Sequence, residues 1–351
     1  MGEHEQHADI LGVAVVGAGY WGPNLARNFA THPDTELRWV VDLARDRAEA
    51  VARRYPGTRV TDDLDDVLSD PATRAIAIVT PAATHAQLAL AAIDSGRHVL
   101  VEKPLAAHVT DGEKMVDAAD RAGVVLMCDH TFCYTPVVRR IRELVASGAL
   151  GEIQYVDAVR INLGLVQRDV DVFWDLAPHD LSILDYILPS DRLPIAVSAQ
   201  GADPLRTGVA CVGYLTLPLA GGGIAHAHVN WLSPTKVRTT IVGGSHRTAW
   251  WDDLNPYARL SIHDRGVDVS VSGDQDQRRE RLVSYRTGDI VTPTLPEREA
   301  LVELVGEFAA AIRDHRAPVT DGRSGLRVLR VLEAVNRSLS HEGQRVPLKE
   351  I

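Results

Sequence analysis

Residues 11–22 read L-G-V-A-V-V-G-A-G-Y-W-G, an apolar run that breaks into a glycine-spaced loop. Its first half, ending at Val16, predicts a short strand buried on both faces. The loop Gly17-Ala18-Gly19-Tyr20-Trp21-Gly22 then opens a helical pattern running through Ala30. Strand, G-x-G-x-x-G and helix in that order give a weak glycine spacing its meaning. Gly17 permits the tight turn, Gly19 lets a backbone approach a pyrophosphate, and Gly22 lets helix and strand pack closely. Amides at the helix start would hold the phosphates, with Tyr20 and Trp21 beside them. The candidate ligand is therefore a dinucleotide.

Working outward, a second strand, residues 37–41, ends at Asp42, twenty residues after Gly22. A carboxylate there hydrogen-bonds ribose hydroxyls and repels a 2′-phosphate, so NAD is expected over NADP. Arg45 and Arg47 follow closely and keep NADP as the lesser alternative. Asp42 also suits the N-cap of the next helix. Strand and helix patterns go on alternating to Cys128, which predicts a doubly wound parallel sheet of six strands. Two strands end in polar turns at the carboxyl edge, where such sheets place ligands. One turn is Thr80-Pro81-Ala82-Ala83-Thr84-His85; the other follows H-V-L-V and reads Glu102-Lys103-Pro104. Only four of the 37 basic residues are lysines, so Lys103 at this edge suggests a need for a compact ammonium.

The bulk numbers set limits. At 351 residues the chain is long enough for two domains, expected at 1–133 and 134–351. A net charge of −10 argues against a nucleic-acid surface, which needs clustered Lys and Arg. No apolar run approaches the length of a membrane span. The acidic M-G-E-H-E-Q-H start has no apolar core, so no signal peptide is expected. Three cysteines in apolar segments suggest reduced thiols, and the expected location is the cytoplasm.

The second half changes character. A helix from Pro136 and a long strand over 152–163 precede an apolar helix expected at 176–188. Strand-like runs over 195–199, 209–217, 223–232, 236–243, 248–252 and 259–262 then predict an α+β domain with a large, mostly antiparallel sheet. Residues 264–295 read as a loop or weak hairpin, and helices over 297–315 and 324–339 as packing back on the first domain. A sheet with one uncovered face implies a homodimer or homotetramer. His226 and His228 share one strand face but lack further ligands nearby, so no metal is expected.

The glycine loop, Thr80-Pro81 with His85, and Glu102-Lys103-Pro104, in this order, resemble the Gfo/Idh/MocA oxidoreductases. D-V-D-V-F-W-D-L-A-P-H-D-L (169–181) is similar to that family's D-x-x-x-H helix, with Asp175 and His179 one turn apart. Pro178 reads as an early helix residue. The resemblance implies that Lys103 hydrogen-bonds the reacting oxygen, His179 is the general acid/base and Asp175 orients it. By their place on the carboxyl edge, Thr80, Pro81 and Glu102 are cofactor-binding candidates with Lys103. His85 could face the same site, although a lone histidine opening a helix is more often a capping or packing residue. A positioned histidine suits proton removal near neutral pH and a cation stabilises a developing alkoxide, with Lys103 and His179 both candidates to take the proton. Asp169-Val170-Asp171-Val172-Phe173 departs from the glycines many members carry there, which puts a simple inositol or glucose specificity in doubt.

G-Y-W-G-P-N-L-A-R-N and V-R-I-N-L-G-L (159–165) look more like members acting at C3 of nucleotide-linked sugars. Arg160 and Asn162 share a strand face there, and with Tyr134 are candidates to receive the sugar. Arg160 and Arg168 are candidates for its pyrophosphate. A free-sugar or cyclitol dehydrogenase is the alternative within the enzyme class. A dinucleotide-binding sensor is the alternative outside it.

Overall fold

The computed structural model describes residues 10–167, 170–272 and 280–348. The M-G-E-H-E-Q-H start, Arg168 and Asp169 lie outside them. The chain divides into two compact units, residues up to Thr135 with Arg298–Glu333, and Pro136–Glu297 with the residues after Glu333.

The first unit alternates β1 (Leu11–Val16), α1 (Gly22–Thr31), β2 (Thr35–Val41), α2 (Arg45–Ala52), β3 (Arg59–Thr61), α3 (Leu64–Leu68), β4 (Ala75–Ile78), α4 (Ala82–Asp94), β5 (His98–Glu102), α5 (Val109–Ala122) and β6 (Leu126–Asp129). All pairings are parallel, in the order β3-β2-β1-β4-β5-β6. The order reverses at β1, so ligands belong outside the carboxyl ends of β1 and β4. Every residue of β1 and β4 is buried, as continuous apolar strands covered on both faces require. α1 starts at Gly22-Pro23, where a missing N–H costs nothing, and buries Leu25, Ala26 and Phe29 on one face.

The second unit opens with α6 (Pro136–Ala146), β7 (Ile153–Leu163) and α7 (Val172–Ile187). Seven strands follow: β8 (Ala196–Ala202), β9 (Val212–Pro218), β10 (Ile224–Asn230), β11 (Leu232–Gly244), β12 (Thr248–Asp252), β13 (Leu260–Ser272) and β14 (Glu280–Val291). The sheet has nine strands ordered β14-β13-β12-β11-β7-β10-β9-β8-β15, where β15 is Val346–Pro347. Among the described residues of this sheet, only the β7–β10 pair is parallel. β9 and β10 bury Leu215, Leu217, Ala225, Ala227 and Val229 on the α7 side. A Cβ on Gly213 would sit 2.0 Å from the Phe173 ring, so only glycine lets α7 lie this close. On the other face Tyr214 and Trp250 stay 45% and 47% exposed.

α8 (Ala300–Arg313) belongs to the first unit, where Phe308 meets Phe29 edge-on at 6.4 Å. α9 is Gly322–Ser340. Thr320, just before it, hydrogen-bonds both backbone groups of Cys128 and so covers the outer edge of β6.

Of the two readings for residues 264–295, the hairpin holds among the described residues, with β13 and β14 as long paired antiparallel strands. One boundary is corrected. α7 begins four residues before the expected 176, because Asp171 caps it by accepting from Phe173 N and Trp174 N. Pro178 therefore lies inside the helix, where it removes one backbone hydrogen bond. Among the described residues no helix is long and apolar enough to cross a membrane, and no His, Cys, Asp or Glu cluster fits a metal ion.

Candidate active site

In the first unit the expected residues gather along the carboxyl edge of the parallel sheet. Gly17 has φ +105°, and a Cβ there would meet Val79 O at 2.7 Å, so the turn admits only glycine. A Cβ on Gly19 would meet nothing within 4 Å, which leaves the loop's outer side open to a ligand. Tyr20 and Trp21 stand there 86% and 47% exposed, packed edge-on at 5.6 Å. Asp42, just past β2, does not cap α2, whose N-cap is Ala44. Its carboxylate accepts from Ala18 N at 2.7 Å and Ala44 N at 2.8 Å, tying the end of β2 to the glycine loop.

Thr80 and Pro81 lead from β4 into α4, and Thr84 Oγ1 lies 2.7 Å from Thr80 Oγ1 and 2.8 Å from Pro81 O. His85 is a packing residue, as a lone histidine opening a helix more often is, rather than the cofactor-edge candidate. It is 1% exposed, with Nε2 2.8 Å from Thr80 O and Nδ1 2.9 Å from Pro104 O. Burial pulls its pKa down against the pull of these carbonyls, and the ring is a buried brace between two edge turns.

Lys103 sits on the second of those turns, beside Glu102, which the sequence reading singled out, and beside Asp129 and His130, which it did not. Glu102 and Asp129 end the adjacent strands β5 and β6 in register, which sets their side chains next to each other. Asp129 is 2% exposed and also accepts from Thr131 Oγ1 at 2.5 Å. Burial pushes both carboxyls up, Glu102 well above the ordinary range. His130 is buried with neither ring nitrogen hydrogen-bonded among the described residues, and burial with the Lys103 charge takes it down to about 3. It is no acid near neutral pH. Tyr134, expected to receive substrate, is fully buried and hydrogen-bonded to Thr320 Oγ1 at 2.8 Å. Its role is packing.

In the second unit Asp175 and His179 lie one turn apart on α7, both half-buried. Asp175 Oδ2 accepts from Trp231 Nε1 at 3.0 Å, which fixes the carboxylate. Asn162 is half-buried near the end of β7. Arg160 does not share an open face with it. It is 3% exposed and pairs bidentately with Asp180 of α7 at 2.7 and 3.0 Å. That carboxylate uses both donor arms facing it, so Arg160 fastens α7 to β7 rather than reading a sugar or a pyrophosphate.

Residues 11–130 match the model described as "Oxidoreductase family, NAD-binding Rossmann fold", and residues 138–248 match the "GFO/IDH/MocA C-terminal domain". The chain is 26% identical to the UDP-N-acetylglucosamine 3-dehydrogenase of Acidithiobacillus ferrooxidans, over 90% of this chain and 93% of that one. A solved structure of that enzyme covers 95% of this chain and 99% of its own, with TM-score 0.79. GenD2 from gentamicin A biosynthesis, solved in complex with NAD, is 27% identical with TM-score 0.80 and covers 97% of each chain. The NADP-dependent scyllo-inositol 2-dehydrogenase IolW of Bacillus subtilis is 24% identical, over 94% of this chain and 92% of that one.

Proposed function

Since the chain belongs to the Gfo/Idh/MocA oxidoreductase family, we propose that it oxidises or reduces C3 of a nucleotide-linked sugar. The observation that carries this reading is the full-length likeness to a UDP-N-acetylglucosamine 3-dehydrogenase in both sequence and fold. The likeness to IolW favours a second reading, a cyclitol dehydrogenase. The protein is an NAD-dependent oxidoreductase under either, and we place its work in the cytoplasm.

The residues present fit NAD. Gly17, Gly19 and Gly22 shape the loop whose open side would take the pyrophosphate, flanked by Tyr20 and Trp21. Asp42 would accept from the adenosine ribose, while Thr80, Pro81, Glu102 and Lys103 line the edge toward the reacting end. NAD, when bound, supplies the hydride acceptor. Lys103 donates to the substrate oxygen and stabilises the charge that grows there. His179 takes the hydroxyl proton, and Asp175 holds the imidazole and balances its charge. Asn162 contacts the sugar. Arg168, the remaining candidate for the pyrophosphate, lies outside the described residues.

Replacing Asp42 by Ala is expected to weaken NAD about tenfold, the loss of a hydrogen bond to a charged acceptor. NADP should gain relative to NAD by roughly 100-fold once the like charge is gone. Fluorescence titration with both dinucleotides checks this, and an unchanged preference would remove Asp42 from the ribose.

The face of the second sheet that carries Tyr214, Ile224 and Trp250 supports a homodimer or homotetramer formed through it. Light scattering should show an assembly, which Trp250→Glu weakens; a monomer at micromolar concentration would refute it.

The substrate class is tested with purified protein, NAD, and a panel of UDP- and dTDP-sugars, free sugars and inositols, followed at the reduced-nicotinamide absorbance. Turnover of nucleotide-linked sugars supports the proposal. Turnover of inositols alone would select the second reading.

A further inference from the structure

We propose that Glu102 and Asp129 hold one proton between them at neutral pH and serve Lys103 as a counterion of single charge. They are positioning residues, and this role rests on the reading of Lys103 as the cation at the reacting oxygen.

The geometry starts from register. Glu102 and Asp129 are the last residues of neighbouring parallel strands and partner each other directly. The shared register sets the two carboxyl groups side by side, with Asp129 2% exposed and Glu102 half-buried, so two negative charges there repel and one shared proton relieves them. Thr131 donates to Asp129 Oδ1, which favours charge on that side. The other titratable groups around the pair are Lys103, the buried Cys128 thiol and neutral His130. Lys103 is the cation among them, so burial disfavours a second negative charge while Lys103 retains one. The arrangement gives the ammonium a fixed partner without a second carboxylate competing to bury it in an ion cluster. Neither residue needs to touch the substrate.

The sign of the pH effect follows. Unfolded carboxyls titrate near roughly 4. The folded pair keeps a proton above that pH, so its contribution to stability is full below about 4 and is lost as pH rises through the raised folded value.

Glu102→Gln and Asp129→Asn each leave one carboxylate, and the amide N–H replaces the shared proton in the hydrogen bond. Thermal or denaturant unfolding from pH 5 to 9 should therefore separate wild type from either single variant. Wild type's unfolding constant should rise about tenfold more steeply per pH unit until the pair ionises. Calorimetry in two buffers should count about one extra proton released on its unfolding. Parallel curves for wild type and both single variants would overturn the shared proton. Glu102→Gln/Asp129→Asn together remove the last charge, and turnover should fall at least about tenfold below either single variant. Turnover equal to the single variants would overturn the counterion role. These stability measurements need no substrate, so a shared proton found together with an active Lys103→Ala protein would instead refute the reading of Lys103.

Discussion

Lys103→Ala is expected to lower kcat by about 10²- to 10³-fold, the usual loss when a donor to a developing oxyanion is removed. As hydride leaves a secondary carbinol carbon, its oxygen passes from hydroxyl toward carbonyl and carries excess negative charge on the way. An ammonium that meets that oxygen stabilises the transition state more than the ground state, so the loss falls on kcat. NAD affinity should change little, because the glycine loop and Asp42 hold the other end of the dinucleotide. Lys103→Arg keeps the charge but spreads it over a larger planar head, so an intermediate rate is expected. Steady-state kinetics and dinucleotide titration of the three proteins separate these effects. Undiminished turnover in the alanine variant would dismiss Lys103 from the chemistry. NAD binding with no turnover of any substrate by the wild-type protein would return the dinucleotide sensor.

Asp180→Ala should destabilise the second unit by about 3–5 kcal/mol, because it leaves the Arg160 guanidinium buried and uncompensated. The pair is bidentate and only 3% and 4% exposed, whereas the bidentate pairs Arg27–Glu299 and Arg316–Glu307 lie at the surface. Surface pairs are worth about 0–1 kcal/mol, so Arg140→Ala, which breaks the exposed Arg140–Glu143 pair, is the fitting control. Asp180→Leu with Arg160→Met removes both charges and should recover most of the loss. Denaturant unfolding of these proteins gives the comparison. A loss under about 1 kcal/mol for Asp180→Ala would mean that water reaches the guanidinium. α7 carries Asp175 and His179, so the Asp180 variant is also expected to lose activity before it unfolds globally.

The fold was legible because its signals are local. Continuous apolar strands, the glycine loop and the strand-helix alternation each occupy a short window, and β1 with its loop formed where they were read. Lys103 was legible for a related reason, since the carboxyl end of a parallel strand can be recognised from the strand alone. Asp129 obeys the same rule at the end of β6, but reading that strand as closing at Cys128 hid it. What it does there depends on Glu102, which is 27 residues earlier and comes alongside only through sheet register. Arg160 and Tyr134 were misread for the same kind of reason. Their partners, Asp180 and Thr320, are distant in sequence, and a polar side chain shows no sign in its own neighbourhood that it is already satisfied. The start of α7 was missed because a capping aspartate inside D-V-D-V looks like loop until its amide contacts are seen.

On the proposed function, hydride passes between C3 of a nucleotide-linked sugar and NAD. The most direct measurement uses UDP-N-acetylglucosamine deuterated at C3, with mass spectrometry of the reduced nicotinamide and a comparison of rates with the unlabelled sugar. Deuterium in the dinucleotide, with a slower rate for the labelled sugar when hydride transfer limits turnover, is the expected result. Reduced dinucleotide formed without deuterium would contradict the C3 assignment, and a protein that reduces NAD only with free cyclitols would contradict the substrate class.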